Sequence, residues 1–313
     1  MRLNGTLNIS MHSQFLAVNV VRVMMALPLL LIRLIPFLSG FLTDRTKHAT
    51  MKKNLMAVAL LCCAVPAYAA HPLVTDDTGT QGTGGWQIEC TTGFSSNSET
   101  DEGIRIKERE NEAAVAVSYG LSEDIDIVAG LPYLWYQVKE NQLVTADESG
   151  IGDMMVELKW RFCENEKNGF SLALKPGVSL PTGDTDRGLG AGRVTGGAVL
   201  IATKEFGTLT LHANAGYHRN AYELDEDAAA CNKHIWNVSL AGEYALSEKL
   251  RAVADIGLKT TEEKGSRTHP AFLVGGLIYS VTEDFDFDLG IKSGLNDAEP
   301  DTAVLLGVAA RFN

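Results

Sequence analysis

"YGLSEDIDIVAG" at residues 119–130 has two close counterparts downstream, "YALSEKLRAVADIG" at 244–257 and "YSVTEDFDFDLG" at 279–290. Each copy sets an aromatic, two small or apolar residues, a hydroxyl and an acid in front of a run that alternates residue by residue. Ser122, Ser247 and Thr282 suit a tight turn, because a short hydroxyl side chain bonds the backbone amide two residues on. The alternation behind it has period two, the spacing of a β-strand whose two faces differ. The repeat therefore reads as strand end, turn and next strand, rather than as a catalytic motif.

The same alternation extends along most of the chain. In 154–162, Met154, Val156, Leu158, Trp160 and Phe162 alternate with Met155, Glu157, Lys159 and Arg161, and in 285–292 Phe285, Phe287, Leu289 and Ile291 alternate with Asp286, Asp288, Gly290 and Lys292. Helical spacing fits neither. Twelve strands are predicted, near 85–96, 109–119, 124–136, 151–162, 169–180, 192–204, 208–218, 234–244, 249–260, 270–280, 284–295 and 302–312. Their length suits a tilted strand crossing a bilayer, which needs about 9–11 residues.

Connections alternate in length. One set is long and polar, as in "SSNSETDEGIRIKE" (95–108), "VKENQLVTADESG" (138–150), "PTGDTDRGLGAG" (181–192) and "HRNAYELDEDAAACNK" (218–233); the other is short, as in "GLSED" (120–124) and "ALSEK" (245–249). Long loops at one end and tight turns at the other are the pattern of outer-membrane barrels. The predicted fold is all-β: a closed antiparallel transmembrane β-barrel of about 12 strands, closed because an open edge in lipid would leave backbone amides without partners. In it Tyr119, Tyr244 and Tyr279 end strands at the membrane boundary. A soluble antiparallel sandwich also alternates, but it would not separate the loops by length or place charges on one face of so many strands.

At the front, "MKKNLMAVALLCCAVPAYAA" (51–70) has two lysines, a short apolar run and Ala67-Tyr68-Ala69, the layout of a secretory signal peptide cut near Ala69-Ala70. Its apolar run is shorter than the roughly 20 residues of a spanning helix. Residues 1–50 then read as an upstream extension ahead of the true start at Met51, and residues 71–313 as the barrel. A membrane helix at 15–42 is the competing reading, interrupted by Arg22, Arg33 and two prolines.

The net charge is −12. Seven Lys/Arg and one Asp precede His71, so residues 71–313 keep 20 of the 27 basic and 38 of the 39 acidic residues, a net −18. Such a surface repels phosphate backbones, and nucleic-acid binding is excluded. Cys90, Cys163 and Cys231 are too few and too scattered for a disulfide framework or a zinc site. No metal or cofactor is expected.

"GIGDMMVELKWRF" (150–162), "LALKPGVSLPTGD" (172–184) and "GLGAGR" (188–193), with "HPLVTDDTGTQGTGGWQIE" (71–89) at the front, resemble the bacterial outer-membrane proteins grouped under the MetA-pathway of phenol degradation. The resemblance covers essentially all of residues 71–313 and implies an outer-membrane channel for small compounds, aromatic ones among them. Such barrels usually finish on an aromatic residue, whereas here Phe312 is followed by Asn313. The glycines at 183, 188 and 190 suit tight bends, and Asp153 and Asp184 suit turn caps. The loop they build is a candidate for folding inward and narrowing a pore.

Alternation assigns an inward, pore-lining face. Its acids are Glu89, Asp124, Asp126, Glu157, Asp255, Asp286 and Asp288; its bases are Lys159, Arg161, Lys175, Arg251, Lys259, Lys292 and Arg311, with His212 and His218 beside them. Opposite charges on neighbouring strands can plug a narrow barrel or line a wet channel, and the sequence leaves both open. The predicted function is passive passage of a small organic solute. The expected partners are outer-membrane lipid, lipopolysaccharide and the barrel-insertion machinery. A structural or surface-binding barrel, suggested by "ELDEDAAAC" (223–231), is the alternative. An outer-membrane hydrolase, built on Ser, His and an acid or carboxamide, is a third, but no His-x-Ser pairing follows His212 or His218.

Overall fold

The structure, a computed structural model, describes residues 71–101 and 103–312; the expected signal peptide and the upstream extension lie outside the described residues. Thirteen strands follow one another: β1 Trp86–Asp101, β2 Ile104–Ser122, β3 Ile125–Glu140, β4 Leu143–Ile151, β5 Met154–Asn165, β6 Phe170–Leu180, β7 Thr195–Phe206, β8 Leu209–Arg219, β9 His234–Ala245, β10 Leu250–Lys259, β11 Ala271–Thr282, β12 Phe285–Gly294 and β13 Thr302–Phe312. All pair antiparallel with their neighbours, and β1 closes the sheet against β13, with Trp86 beside Phe312. Strand β3 holds β5 along Ile125–Gly130 and β4 along Tyr133–Glu140, so β4 and β5 share one position, interrupted at Gly152–Asp153. The result is a closed barrel of twelve staves, as the alternation predicts.

Closure follows from the two faces. Ile88, Val115, Leu131, Leu158, Leu200, Ile256, Leu289 and Leu306 are exposed on the outer wall, while Glu89, Ala116, Glu157, Ile201, Asp255 and Asp286 are buried inside. Two aromatic girdles border the apolar band. At the short-turn end Trp86 packs on Tyr119, with ring centroids 4.4 Å apart. Toward the long loops Phe94 meets Trp135 at 6.0 Å, and Tyr217 meets Trp236 at 4.7 Å. From Trp86 to Phe94 is about 27 Å along the strand, close to the span of the about 9–11 residues that a tilted strand needs to cross a bilayer.

The opening repeat is a turn in all three copies. The hydroxyl of Ser122 accepts from Asp124 N at 3.3 Å, that of Ser247 from Lys249 N at 3.3 Å and Leu250 N at 3.1 Å, and that of Thr282 from Asp284 N at 3.3 Å. The first and third copies also carry a register shift, between Gly120 and Ser122 and between Ser280 and Thr282.

Two of the expected long loops are strand instead. Residues 95–101 form the far end of β1 and 104–108 the start of β2, and 138–150 form the end of β3 and most of β4. Above the membrane a hairpin needs cross-strand pairing but no apolar outer face, so the hydrophobic alternation fades before the strand ends. The other long connections are true loops. A helical turn at Thr185–Arg187 lies in one, and a short helix, α1 (Asp225–Ala230), in another.

Candidate functional site

Residues 71–85, ahead of β1, run inside the barrel. They join the wall at the short-turn rim, where Gly84 N donates to Gly120 O and Gly120 N to Gly85 O, both at 2.9 Å. The approach is so close that a Cβ on Gly120 would lie 1.7 Å from Gly82 O. The first copy of the repeat therefore has glycine where the others carry Ala245 and Ser280. Farther in, Gln81 N donates to both oxygens of Asp126, Thr78 N donates to Thr203 Oγ1 at 3.1 Å, and Asp255 accepts from Val74 N, Thr75 N and Thr75 Oγ1, each at 2.7 Å. Leu73 packs on Ala241, Val253 and Ile278, and His71 Nδ1 meets the Asp288 carboxylate.

Charge fixes the middle of this segment. Asp76 lies 2.9 Å from Lys159 and 2.6 Å from Lys175, Asp77 lies 3.8 Å from Lys159, and Lys175 also reaches Glu157 at 3.3 Å. Asp76, Lys159, Lys175 and Glu157 are all buried. Buried charges persist only when paired, and here the wall supplies both cations to anions of the inner segment. With its amide oriented to match, Asn214 accepts from Asp76 N at 2.7 Å and donates to Asp76 O at 3.0 Å.

On the long-loop side of this plug lies a cavity of about 660 Å³. Its floor is His71, Pro72, Leu73 and Val74. Its walls carry Glu89, Glu108, Glu110 and Glu112 from β1 and β2, Glu262 and Glu299 from the loops, and the apolar surfaces of Phe272, Leu134 and Ile235. The lysines that face it are engaged: Lys259 with Glu262 at 2.6 Å, and Lys292 with Glu299 while standing 4.9 Å over the Phe272 ring. The lining is thus acidic, with apolar patches, and its volume lies in the range of small-molecule sites, about 300–1,000 Å³.

The residues read as pore-lining fall into three groups. Asp126, Glu157, Lys159, Lys175, Asp255, His212 and Asp288 hold or neighbour the plug; Glu89, Lys259, Lys292 and His218 face the cavity. Arg251, Arg311 and Asp286 form a cluster inside the wall, with Arg251 3.2 Å and Arg311 3.1 Å from Asp286, and with Arg251 3.0 Å from Glu243. Asp124 is the exception: it lies in the exposed turn before β3 and pairs with Arg161 at 3.0 Å, at the rim. Missing from that set were Asp76, Asp77 and Thr75. They precede the first alternating segment, and the signals available were Gly120 in the opening repeat and two inward lysines, Lys159 and Lys175, set against one inward acid of their own strands, Glu157.

The five described histidines bond threonine, tyrosine, carboxylate or backbone. His212 Nδ1 pairs with Thr203 Oγ1 at 2.9 Å, His218 Nε2 with Thr195 Oγ1 at 3.0 Å, His234 Nδ1 with Tyr217 OH at 2.7 Å, and His269 Nδ1 accepts from Thr261 N at 3.2 Å. The acids of "ELDEDAAAC" lie in and beside α1. Among the described residues no group of three or more His, Cys, Asp or Glu is arranged to hold a metal ion.

Residues 75–312, from the plug to the last strand, match the family described as "Putative MetA-pathway of phenol degradation". The chain belongs to this family. An outer membrane channel from Pseudomonas putida F1 shares its fold at a TM-score of 0.61 and 14% identity, over 75% of this chain and 98% of that one. The translocator domain of the autotransporter NalP from Neisseria meningitidis (TM-score 0.46, 14% identity, 74% and 89% covered) and the toluene transporter TbuX from Ralstonia pickettii (0.43, 8%, 74% and 90%) are more distant. No curated protein matches the chain.

The motifs by which this phenol-degradation family member resembles the group hold one loop in place. Asp153, at the break between β4 and β5, accepts from Gly183 N and Ala191 N, both at 2.9 Å, and so closes the 181–192 loop on itself. Asp184 caps the helical turn through Arg187 N at 3.3 Å, and Gly188 follows at φ +67°, where a side chain would be strained. The loop folds inward: Leu189 is 1% exposed, packed on Leu134 and Tyr136, and Tyr136 OH donates to Arg187 O at 3.0 Å.

Proposed function

We propose that the protein sits in the outer membrane, exported through the signal peptide at 51–70, with its short turns in the periplasm and its long loops outward, and that it passes small organic solutes passively. The observation that carries this reading is the cavity of about 660 Å³ enclosed by the barrel above the plug, with apolar and acidic surface side by side. An apolar or aromatic solute would lie against Phe272, Leu134 and Pro72, and the acids favour neutral or cationic molecules over anions. The plug is the resistance in this path, and movement of residues 71–85 sets the conductance.

Planar-bilayer recording on the purified full chain tests the reading. Small cation-preferring steps are expected, together with loss of solute uptake in a deletion strain. A folded barrel that shows neither overturns it. The same plug favours the second reading, a structural barrel, since ion pairs and hydrogen bonds fill its lower half. That reading predicts silence in both assays and a weakened envelope on deletion.

A further inference from the structure

We propose that the outward face of the projecting β1–β2–β3 sheet binds the phosphorylated headgroup of the outer-leaflet glycolipid through Arg105, Lys107, Arg109 and Lys139. Arg105, Lys107 and Arg109 alternate along β2 and are all exposed, while Glu108, Glu110 and Glu112 of the same strand point into the lumen. Bases are outside and acids inside, on a chain whose net charge is −12. Lys107 is the cross-strand partner of Lys139. Two like charges so placed repel, and a bound anion between them would remove the penalty. Among the described residues none of the four makes an ion pair. Asp147, on the same face of β4, is taken by Gln137 Nε2 at 2.9 Å.

Height supplies the second argument. Phe94, Asn111 and Trp135 are paired across β1, β2 and β3, at the aromatic girdle nearer the long loops. Arg109 is two residues beyond Asn111, about 7 Å higher along the strand. Lys107 with Lys139, and then Arg105, continue upward. The cations therefore begin where acyl chains give way to headgroups. A phosphate there can be gripped by the planar forks of Arg105 and Arg109, while the acyl chains lie on Phe94, Trp135 and Tyr133.

The inference rests on the outer-membrane reading with the long loops outward. The test uses the full chain in zwitterionic detergent, titrated separately with bisphosphorylated lipid A, with dephosphorylated lipid A and with inorganic phosphate, and read by retained lipid in native mass spectrometry. Bisphosphorylated lipid A should bind about 10-fold tighter than the dephosphorylated form, a modest expectation for several interfacial cations, and salt should weaken it. R105Q/K107Q/R109Q/K139Q should lose that preference while retaining the wild-type conductance. Equal binding of the two lipids, an unchanged variant, or effective competition by millimolar inorganic phosphate would overturn the proposal. The two-lipid comparison on the wild type decides the matter even where the fourfold variant fails to fold, and K107Q alone gives a milder variant. Failure of the membrane reading looks different: the chain would then stay in solution without detergent.

Discussion

The Nζ of Lys175, on β6, stands 2.6 Å from the carboxylate of Asp76 in the plug, and both side chains are 3% exposed. Because Lys175 also neutralises Glu157, Lys175→Met would leave two buried carboxylates short of a counter-ion. Breaking a buried pair from one side costs about 3–5 kcal/mol. The variant should unfold at a clearly lower temperature in heat-modified gel migration. It should also conduct more, since repulsion between Asp76 and Glu157 loosens the plug. An unchanged midpoint would show that the Asp76–Lys175 contact does not hold the plug.

Gly290, on β12, offers a way to disturb the plug while sparing the wall. A Cβ there would lie 2.7 Å from Pro72 Cβ and 3.0 Å from Pro72 Cγ, with the next neighbour, Gly275 O, at an ordinary 3.6 Å. Gly290→Ala should therefore assemble as a barrel, migrate as a folded species and show larger or more frequent conductance steps. Gly276→Ala is a poor substitute, because its Cβ would also press on Leu289 O at 2.7 Å. Wild-type conductance in Gly290→Ala would mean that the upper end of the plug does not limit flow.

The barrel was legible because lipid on one side and a polar lumen on the other force a period of two on every stave, and hydroxyl turns such as Ser122 and Ser247 mark the ends. Inward and outward faces came with it, and Glu157 and Lys175 lie buried on the inner side. Where that pressure lapses the signal lapses too. The hairpin ends at 95–108 and 138–150 stand above the membrane, and their polar outer faces read as loop. The plug was invisible for the opposite reason. Residues 71–78, the inner part of the plug, are buried or half-buried, make few bonds to one another, and draw their conformation from partners such as Asp255 and Lys159 that are far away in sequence. Gly120, the one departure among the three repeats, was their trace in the sequence.

Cys231 and Cys163 together make a probe of the loop cap. Cys231 is 2% exposed, packed with Tyr222 and Ala191, and burial, then Asp227 and Glu262, push its thiol up to about 11. Only the thiolate reacts, so in the folded protein at neutral pH Cys231 should resist a water-soluble maleimide. Cys163, near the short-turn end of β5 and half-buried, should label in detergent. Mass spectrometry after unfolding should then find Cys231 newly modified. Rapid labelling of Cys231 in the folded state would mean that the 220–231 loop opens freely.

Asp153 ties the inward-folding loop with two hydrogen bonds, from Gly183 N and Ala191 N. Asp153→Ala would leave both amides without that partner, at about 1.5–3 kcal/mol for each bond to a charged acceptor. The loss falls on the loop, because the neighbouring strands keep their own pairing: Met154 with Leu180 on one side, and Tyr133 with Ile151 on the other. Limited proteolysis should therefore cut the variant within 181–192 while the barrel keeps its heat-modified migration, and Leu189 should leave its contact with Leu134 and Tyr136. Asp153→Asn, which keeps one acceptor oxygen, should fall between wild type and alanine. Equal protease resistance in all three would assign the loop's position to Leu189 packing instead of to the carboxylate.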